Sequence, residues 1–224
     1  MKHARNAAPG IIGVAQNVFA SLGPTGKAIA AGVVLVVGAS PFGAWNAVAD
    51  DAIPLTAGQV VEAGPYEVAV EKVVAARTLG DVTALDEKNK LLIVVVEVKN
   101  VSDTPGIPAT LGDVVPAPAG AGIVDVDGRP VPDDVPPGER PTPRIFNIDD
   151  SASIDVINPD LSYRLALVWD RTGAGDPAEA DVRLAGLTWI EEGFSGLMSQ
   201  YWLATDEVTH SGSFAVEPPK EPGA

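Results

Sequence analysis

The run "LLIVVVEV" from Leu91 to Val98 constrains the fold more than any other stretch, because it is apolar on both parities with Glu97 as its one polar residue. In a β-strand successive side chains point to opposite faces, so a strand of this kind is buried on both sides and needs a covering layer on each. Its neighbours in sequence alternate instead. Tyr66, Val68 and Val70 face one way and Glu67, Ala69 and Glu71 the other. Later, Tyr163, Leu165, Leu167 and Trp169 alternate with Ser162, Arg164, Ala166 and Val168. Both are the pattern of half-buried strands. Asp181 to Ile190 and Val208 to Val216 supply two further strands, and Asp127-Gly128 between "GIVDV" and "RPV" is a hairpin turn signal. From Thr56 onward the helical period is missing, and several short strands at this spacing predict a mainly β, antiparallel sandwich.

The first quarter of the chain is of another kind. Residues 1–27 carry Lys2, Arg5 and Lys27 and no acid, residues 28–49 carry no charge, and the remaining 175 residues hold 12 basic and 30 acidic groups. The net charge of −15 therefore divides into +3, zero and −18. The uncharged band "AIAAGVVLVVGASPFGAWNAVA" is long enough, at roughly 33 Å as a helix, to cross a bilayer once. Basic residues before it and Asp50 and Asp51 after it predict a cytoplasmic N-terminus and an extracytoplasmic body. In the leader, Ile11, Val14, Ala15, Val18, Phe19 and Leu22 recur at steps of three and four, the period of a short amphipathic helix. Its apolar face, with Ile11, Val18 and Leu22, is a candidate for docking on the membrane or on a partner's membrane helices. The alternative is cleavage, since Ala47-Val48-Ala49 is an A-x-A pattern before Asp50. The expected organisation is a leader over 1–27, an anchor over 28–49, a linker over 50–57, an extracytoplasmic sandwich over 58–217 and a flexible tail over 218–224.

Charge and composition exclude several functions. An acidic body has the wrong sign for a phosphate-binding surface, so nucleic acid is not an expected partner. There is no cysteine, hence no disulfide, thiolate metal site or cysteine nucleophile, and His3 and His210 are the only histidines. Glu191 and Glu192 are sequence neighbours on an expected strand and point to opposite sides, so they cannot flank one glycosidic bond. Ser195 in "GFSGL" lacks the G-x-S-x-G spacing and its strand-turn-helix context. No enzyme and no cofactor are expected. Asp125, Asp127, Asp133 and Asp134 fall in one proline-rich hairpin and are the candidate oxygen ligands for Ca²⁺, although "DVDGRPVPDD" does not have EF-hand spacing. Ordinary Asp-Gly turn chemistry with solvated charge is the competing account.

Recognition is sought in loops and aromatics. Ten of the 20 prolines lie between Pro105 and Pro143, too many for central strands, so much of this stretch is expected to run as long connections over the surface. Gly80 to Asn89 is expected to be a loop with no apolar demand. Trp169 and Trp189 sit in alternating strands and are expected to plug the core. Phe194, Tyr201 and Trp202 lie in the Gly/Ser-rich "EEGFSGLMSQYW" connection, where an exposed partner-binding surface is expected.

The order "GPYEVAVEKV", "LLIVVVEVKNVSDTP", "DVDGR", "INPDLSYRLALVWD" and "LTWIEEGF", from about Thr56 to Val216, resembles the extracytoplasmic immunoglobulin-like domains of unknown function found in membrane-anchored proteins of high-GC actinobacteria. The resemblance implies a sandwich with a non-enzymatic binding or scaffolding role, and it offers no catalytic residues. The expected function is that of an accessory or scaffolding subunit of a cell-envelope membrane complex, with integral membrane proteins as partners. The alternatives are a domain binding glycan, Ca²⁺ or peptide, and a secreted protein released after Ala49.

Overall fold

The computed structural model describes residues 52–173, 175–194 and 197–218, with the side chains of 192–200 outside that description. The expected leader helix with Ile11, Val18 and Leu22, the anchor over 28–49 and the tail beyond residue 218 lie outside the described residues. Among the described residues no helix is long and apolar enough to cross a membrane.

The strands are β1 (Ile53–Pro54), β2 (Val60–Ala63), β3 (Tyr66–Ala76), β4 (Thr78–Leu79), β5 (Val82–Thr83), β6 (Lys90–Asn100), β7 (Arg144–Asn147), β8 (Ser162–Arg171), β9 (Glu179–Phe194) and β10 (Leu197–Glu217). A short helix, α1 (Pro108–Val114), and a 3-10 turn at Pro137–Glu139 interrupt the long connection between β6 and β7. One layer is built on β3, β6, β8 and β7, paired antiparallel in that order, with β2 hairpinned onto β3. The other is the long β9–β10 hairpin with β1 alongside it. β10 belongs to both layers: after two register shifts between Ala204 and His210 it meets β1, and its end, Val216 and Glu217, pairs with Val73 and Val74 of β3. Those β1–β10 and β10–β3 pairings are parallel, which corrects the purely antiparallel expectation.

β6 meets the demand its sequence makes. Leu92, Val94, Val96 and Val98 face the interior between the layers, with Val68, Val70 and Val73 of β3, Leu165, Leu167 and Trp169 of β8, and Val182, Leu184 and Phe214 of the hairpin. Leu91, Ile93 and Val95 point the other way, join Ala166 and Val168, and are covered by Leu79, Val82, Ala84, Phe146 and Ile148. Each such fully buried aliphatic side chain contributes about 1.5–3 kcal/mol. Gly80 to Asn89 is thus not free of apolar demand, since it contains β5 and part of the cover of this second core. A bulge at Glu71, where Val70 opposes Val96 and Lys72 opposes Val95, moves the inward parity of β3 from Val70 to Val73. The expected 50–57 linker is also partly structural: Leu55 is buried and its N–H donates to the Ser211 carbonyl at 2.8 Å.

The proline-rich stretch departs most from expectation. Leu111 to Ala119 except the half-buried Asp113, then Ala121, Ile123 and Val124, are buried against the interior, while residues 126–130 and 132–134 do run exposed over the surface. Prolines cannot donate to a ladder, so the carbonyls of this stretch find side-chain donors. The Arg140 guanidinium donates to the carbonyls of Val135 (3.0 Å), Ala117 (3.1 Å), Pro118 (3.4 Å), Pro132 (3.3 Å) and Asp133. Arg171 donates to the Ala121 carbonyl at 3.1 Å, and the Trp169 indole to that of Pro141 at 2.8 Å. Strand pairing was excluded by proline count, but burial was not.

Candidate functional site

The β9–β10 hairpin continues beyond the sandwich. From Leu187 to Phe194 and from Leu197 to Ala204 the two strands pair with each other and with no other strand among the described residues. Directly opposed residues of an antiparallel pair share a face. Leu187 with Ala204 and Trp189 with Trp202 therefore lie on one face of this arm, and Thr188 with Leu203 and Ile190 with Tyr201 on the other.

The tryptophan face is turned to the body. The two indoles stand 5.2 Å apart at 57°, and the Trp189 Nε1–H donates to Glu191 Oε1 at 3.2 Å. Trp202 and Leu187 close over the β2–β3 turn at Gly64, whose φ of +59° in a two-residue hairpin requires glycine at that position. Between the arm and the segment Ser102–Thr110 lies a cleft of about 220 Å³. Trp189, Tyr201 and Trp202 line it from the arm, Pro65 and Tyr66 from the turn, and Ser102, Thr104 and Thr110 bring hydroxyls from the opposite wall.

That wall is held rigidly. Asn100, fully buried, donates from Nδ2 to the carbonyls of Thr104 and Ile157, both at 2.8 Å, and its Oδ1 accepts from the Ser102 N–H (3.0 Å) and hydroxyl (2.7 Å). The Tyr66 hydroxyl donates to the Ile107 carbonyl at 3.1 Å, and burial pushes its pKa up to about 12, so it stays a neutral donor. Gly106 lets the chain pass over Tyr66, since a Cβ there would stand 2.2 Å from the phenol oxygen.

The outer face of the arm is open to solvent, with Tyr201 40% and Leu203 51% exposed. A second cleft, also about 220 Å³, lies on the far face of β3 and β6 over Val74, Ile93 and Val95. It is edged by the Lys72–Glu217 pair (3.8 Å) and the Arg164–Glu71 pair (2.7 Å). Hydrogen bonding from Arg164 holds the Glu71 carboxyl below the usual carboxylate range.

The candidate residues distribute unevenly. Tyr201 and Trp202 do come together at one cleft, but from a strand and not from the expected irregular connection. The side chain of Phe194 lies outside the described residues. Trp169 is core, at 3% exposure; Trp189 is 42% exposed and is not a core plug, because β9 runs past the edge of the sandwich. The four candidate calcium ligands are engaged in turns or exposed. Asp125 Oδ1 accepts from the N–H groups of Asp127 (2.9 Å) and Arg129 (2.8 Å), Asp127 pairs with Arg129 at 3.2 Å, Asp133 Oδ1 accepts from the Gly120 N–H at 2.7 Å, and Asp134 is exposed. Among the described residues no three His, Asp or Glu side chains stand close enough to hold a metal ion. The Ser102–Thr110 wall was not anticipated as part of a site; an asparagine at the end of a buried strand, followed at once by Ser and Thr, was its one local signal.

No protein-family model matches the chain, and no curated protein sequence matches it. Two solved structures are similar to it. An uncharacterized β-sandwich protein from Clostridium difficile 630 aligns over 73% of this chain and 94% of its own, at 9% identity and a TM-score of 0.41. A protein of Bacillus subtilis subsp. subtilis str. 168 described as a "putative lipoprotein" aligns over 66% of this chain and 39% of its own, at 12% identity and a TM-score of 0.34.

Proposed function

We propose that the chain is a non-catalytic, single-pass membrane protein whose immunoglobulin-like sandwich stands outside the membrane as an accessory subunit of an envelope complex, and that it grips a protein partner with the β9–β10 arm. The observation that carries this reading is the outer face of the arm. Tyr201 and Leu203, 40% and 51% exposed, form an apolar strip with the half-buried Ile190 on a body whose formal charge is −18, and exposed aromatic and aliphatic groups rimmed by charge are the usual mark of a protein contact. The charge partition of +3, zero and −18 along the sequence supports the orientation.

The test is affinity purification of the full chain from detergent-solubilised membranes. The wild type brings down integral membrane proteins in stoichiometric amounts, and Leu203→Asp loses them while keeping its melting temperature. Leu85→Asp, a control at a 71% exposed site away from the arm, retains them. Partners retained by Leu203→Asp contradict the reading.

A further inference from the structure

The cleft beneath the arm is chemically unlike the rest of the surface. One residue in five of the chain is charged, yet among the described residues lining this cleft none carries a charged side chain. Two indoles form an angled corner on one side, and hydroxyls of Ser102, Thr104 and Thr110 stand on the other. An anion finds no cationic partner there and meets the repulsion of an acidic body. A metal cation finds no carboxylate among the described lining residues to offset its desolvation, and an organic cation held on the indoles alone would leave the Thr104 and Thr110 hydroxyls unused. The Ser102 hydroxyl is already bonded to Asn100, but a purely apolar ligand would bury the hydroxyls of Thr104 and Thr110 without offering them partners. What fits is a neutral molecule with one apolar face and a hydroxylated edge.

We propose that this cleft is a binding subsite for a neutral saccharide, with the C–H face of one sugar ring laid on the exposed indole of Trp189 and its hydroxyls turned to the Ser102–Thr110 wall. A volume of about 220 Å³ is below the roughly 300–1,000 Å³ of pockets that enclose drug-sized ligands, which suits a single ring of a longer glycan better than an extended peptide. The wall needs no rearrangement to accept it. Asn100 fixes the backbone at Ser102 and Thr104, and Tyr66 fixes it at Ile107, so the ordering cost of binding is already met in the free protein. The site shares Tyr201 with the outer face of the arm, but it is built on Trp189, Trp202 and the Ser102–Thr110 wall and does not depend on the docking role proposed for Ile190 and Leu203.

The experiment is a titration of the full chain, in a zwitterionic detergent without a sugar headgroup, with neutral tetramers of N-acetylglucosamine and of glucose, read by tryptophan fluorescence and calorimetry. At least one tetramer binds in the millimolar range or tighter. Trp189→Ala, and independently Thr110→Val, weaken binding about tenfold or more without lowering the melting temperature. Leu203→Asp, which abolishes partner capture on the docking reading, leaves saccharide affinity unchanged. No binding by about 10 mM of either sugar overturns the proposal, as does an affinity unaffected by Trp189→Ala. Binding of a proline-rich peptide that the sugars cannot displace assigns the cleft to peptide instead and equally overturns it.

Discussion

Arg140 tests how a segment with ten prolines holds its place in a protein interior. Its guanidinium, 6% exposed, serves five carbonyls, and those of Ala117 and Pro118 lie in fully buried surroundings. Burial lowers the Arg140 pKa from its usual value; Arg183 adds to that effect, and Asp133 and Asp134 oppose it. In Arg140→Met the aliphatic stem is kept and the donors are lost. Two buried carbonyls without partners cost about 1–3 kcal/mol each. Relief of a desolvated charge offsets part of that, leaving a net loss of about 2–4 kcal/mol. At about 2–4 °C per kcal/mol for a domain of this size, the melting temperature falls by roughly 5–15 °C. Arg140→Lys separates geometry from charge. A compact, strongly hydrated ammonium cannot fork to five acceptors, so lysine is expected to restore no stability over methionine. Hydrogen exchange localises the effect: the N–H groups of Ala119 and Val131, bonded to Asp181 and Ile123 at 3.0 and 2.9 Å, lose protection before those of β6 do. A melting temperature within about 1 °C of wild type in Arg140→Met, or full recovery with lysine, refutes the reasoning.

Two further predictions concern the site wall and the second cleft. Gly106→Ala drives a Cβ into the fully buried Tyr66 ring and is expected to cost about 1–3 kcal/mol; adding Tyr66→Phe, which removes the phenol oxygen at 2.2 Å, recovers part of that loss in urea unfolding. For Glu71, whose carboxylate is lowered by hydrogen bonding from Arg164, the stabilisation is present above the unfolded glutamate pKa of about 4.3 and vanishes as pH falls through the lower folded value. Both partners are partly exposed, at 29% and 46%, so Glu71→Gln is expected to lower stability at pH 7 by no more than about 1 kcal/mol. Near pH 2 the two urea midpoints are expected to converge, and an equal gap at both pH values contradicts the ion-pair account.

Much of the architecture is legible in the sequence because it rests on parity. Leu91 to Val98 announces two covering layers, and both exist. What parity cannot reveal is where a strand breaks step or how far it runs. The bulge at Glu71 leaves no mark in the alternation before it, and β9 and β10 continue through Gly193 and Ser199 because they pair with each other, not because of local propensity. That continuation carries Trp189 past the sandwich edge and turns an expected core residue into a cleft wall. The proline-rich stretch misleads for a related reason. Proline excludes ladder hydrogen bonds, yet Leu111, Val114 and Ile123 still need burial, and the side chains of Arg140, within the stretch itself, and of Arg171, on β8, supply donors to its carbonyls. The aromatic density of the sequence singles out Tyr201 and Trp202, but Ser102 and Thr110, which line the same cleft, lie about ninety residues away and reach them through tertiary structure alone.

The central claim is that the sandwich acts while joined to its first 49 residues in the membrane. N-terminal sequencing of the protein purified with its partners from the membrane fraction tests this most directly. The account predicts a mature chain that retains the uncharged band 28–49; a chain beginning at Asp50 contradicts it.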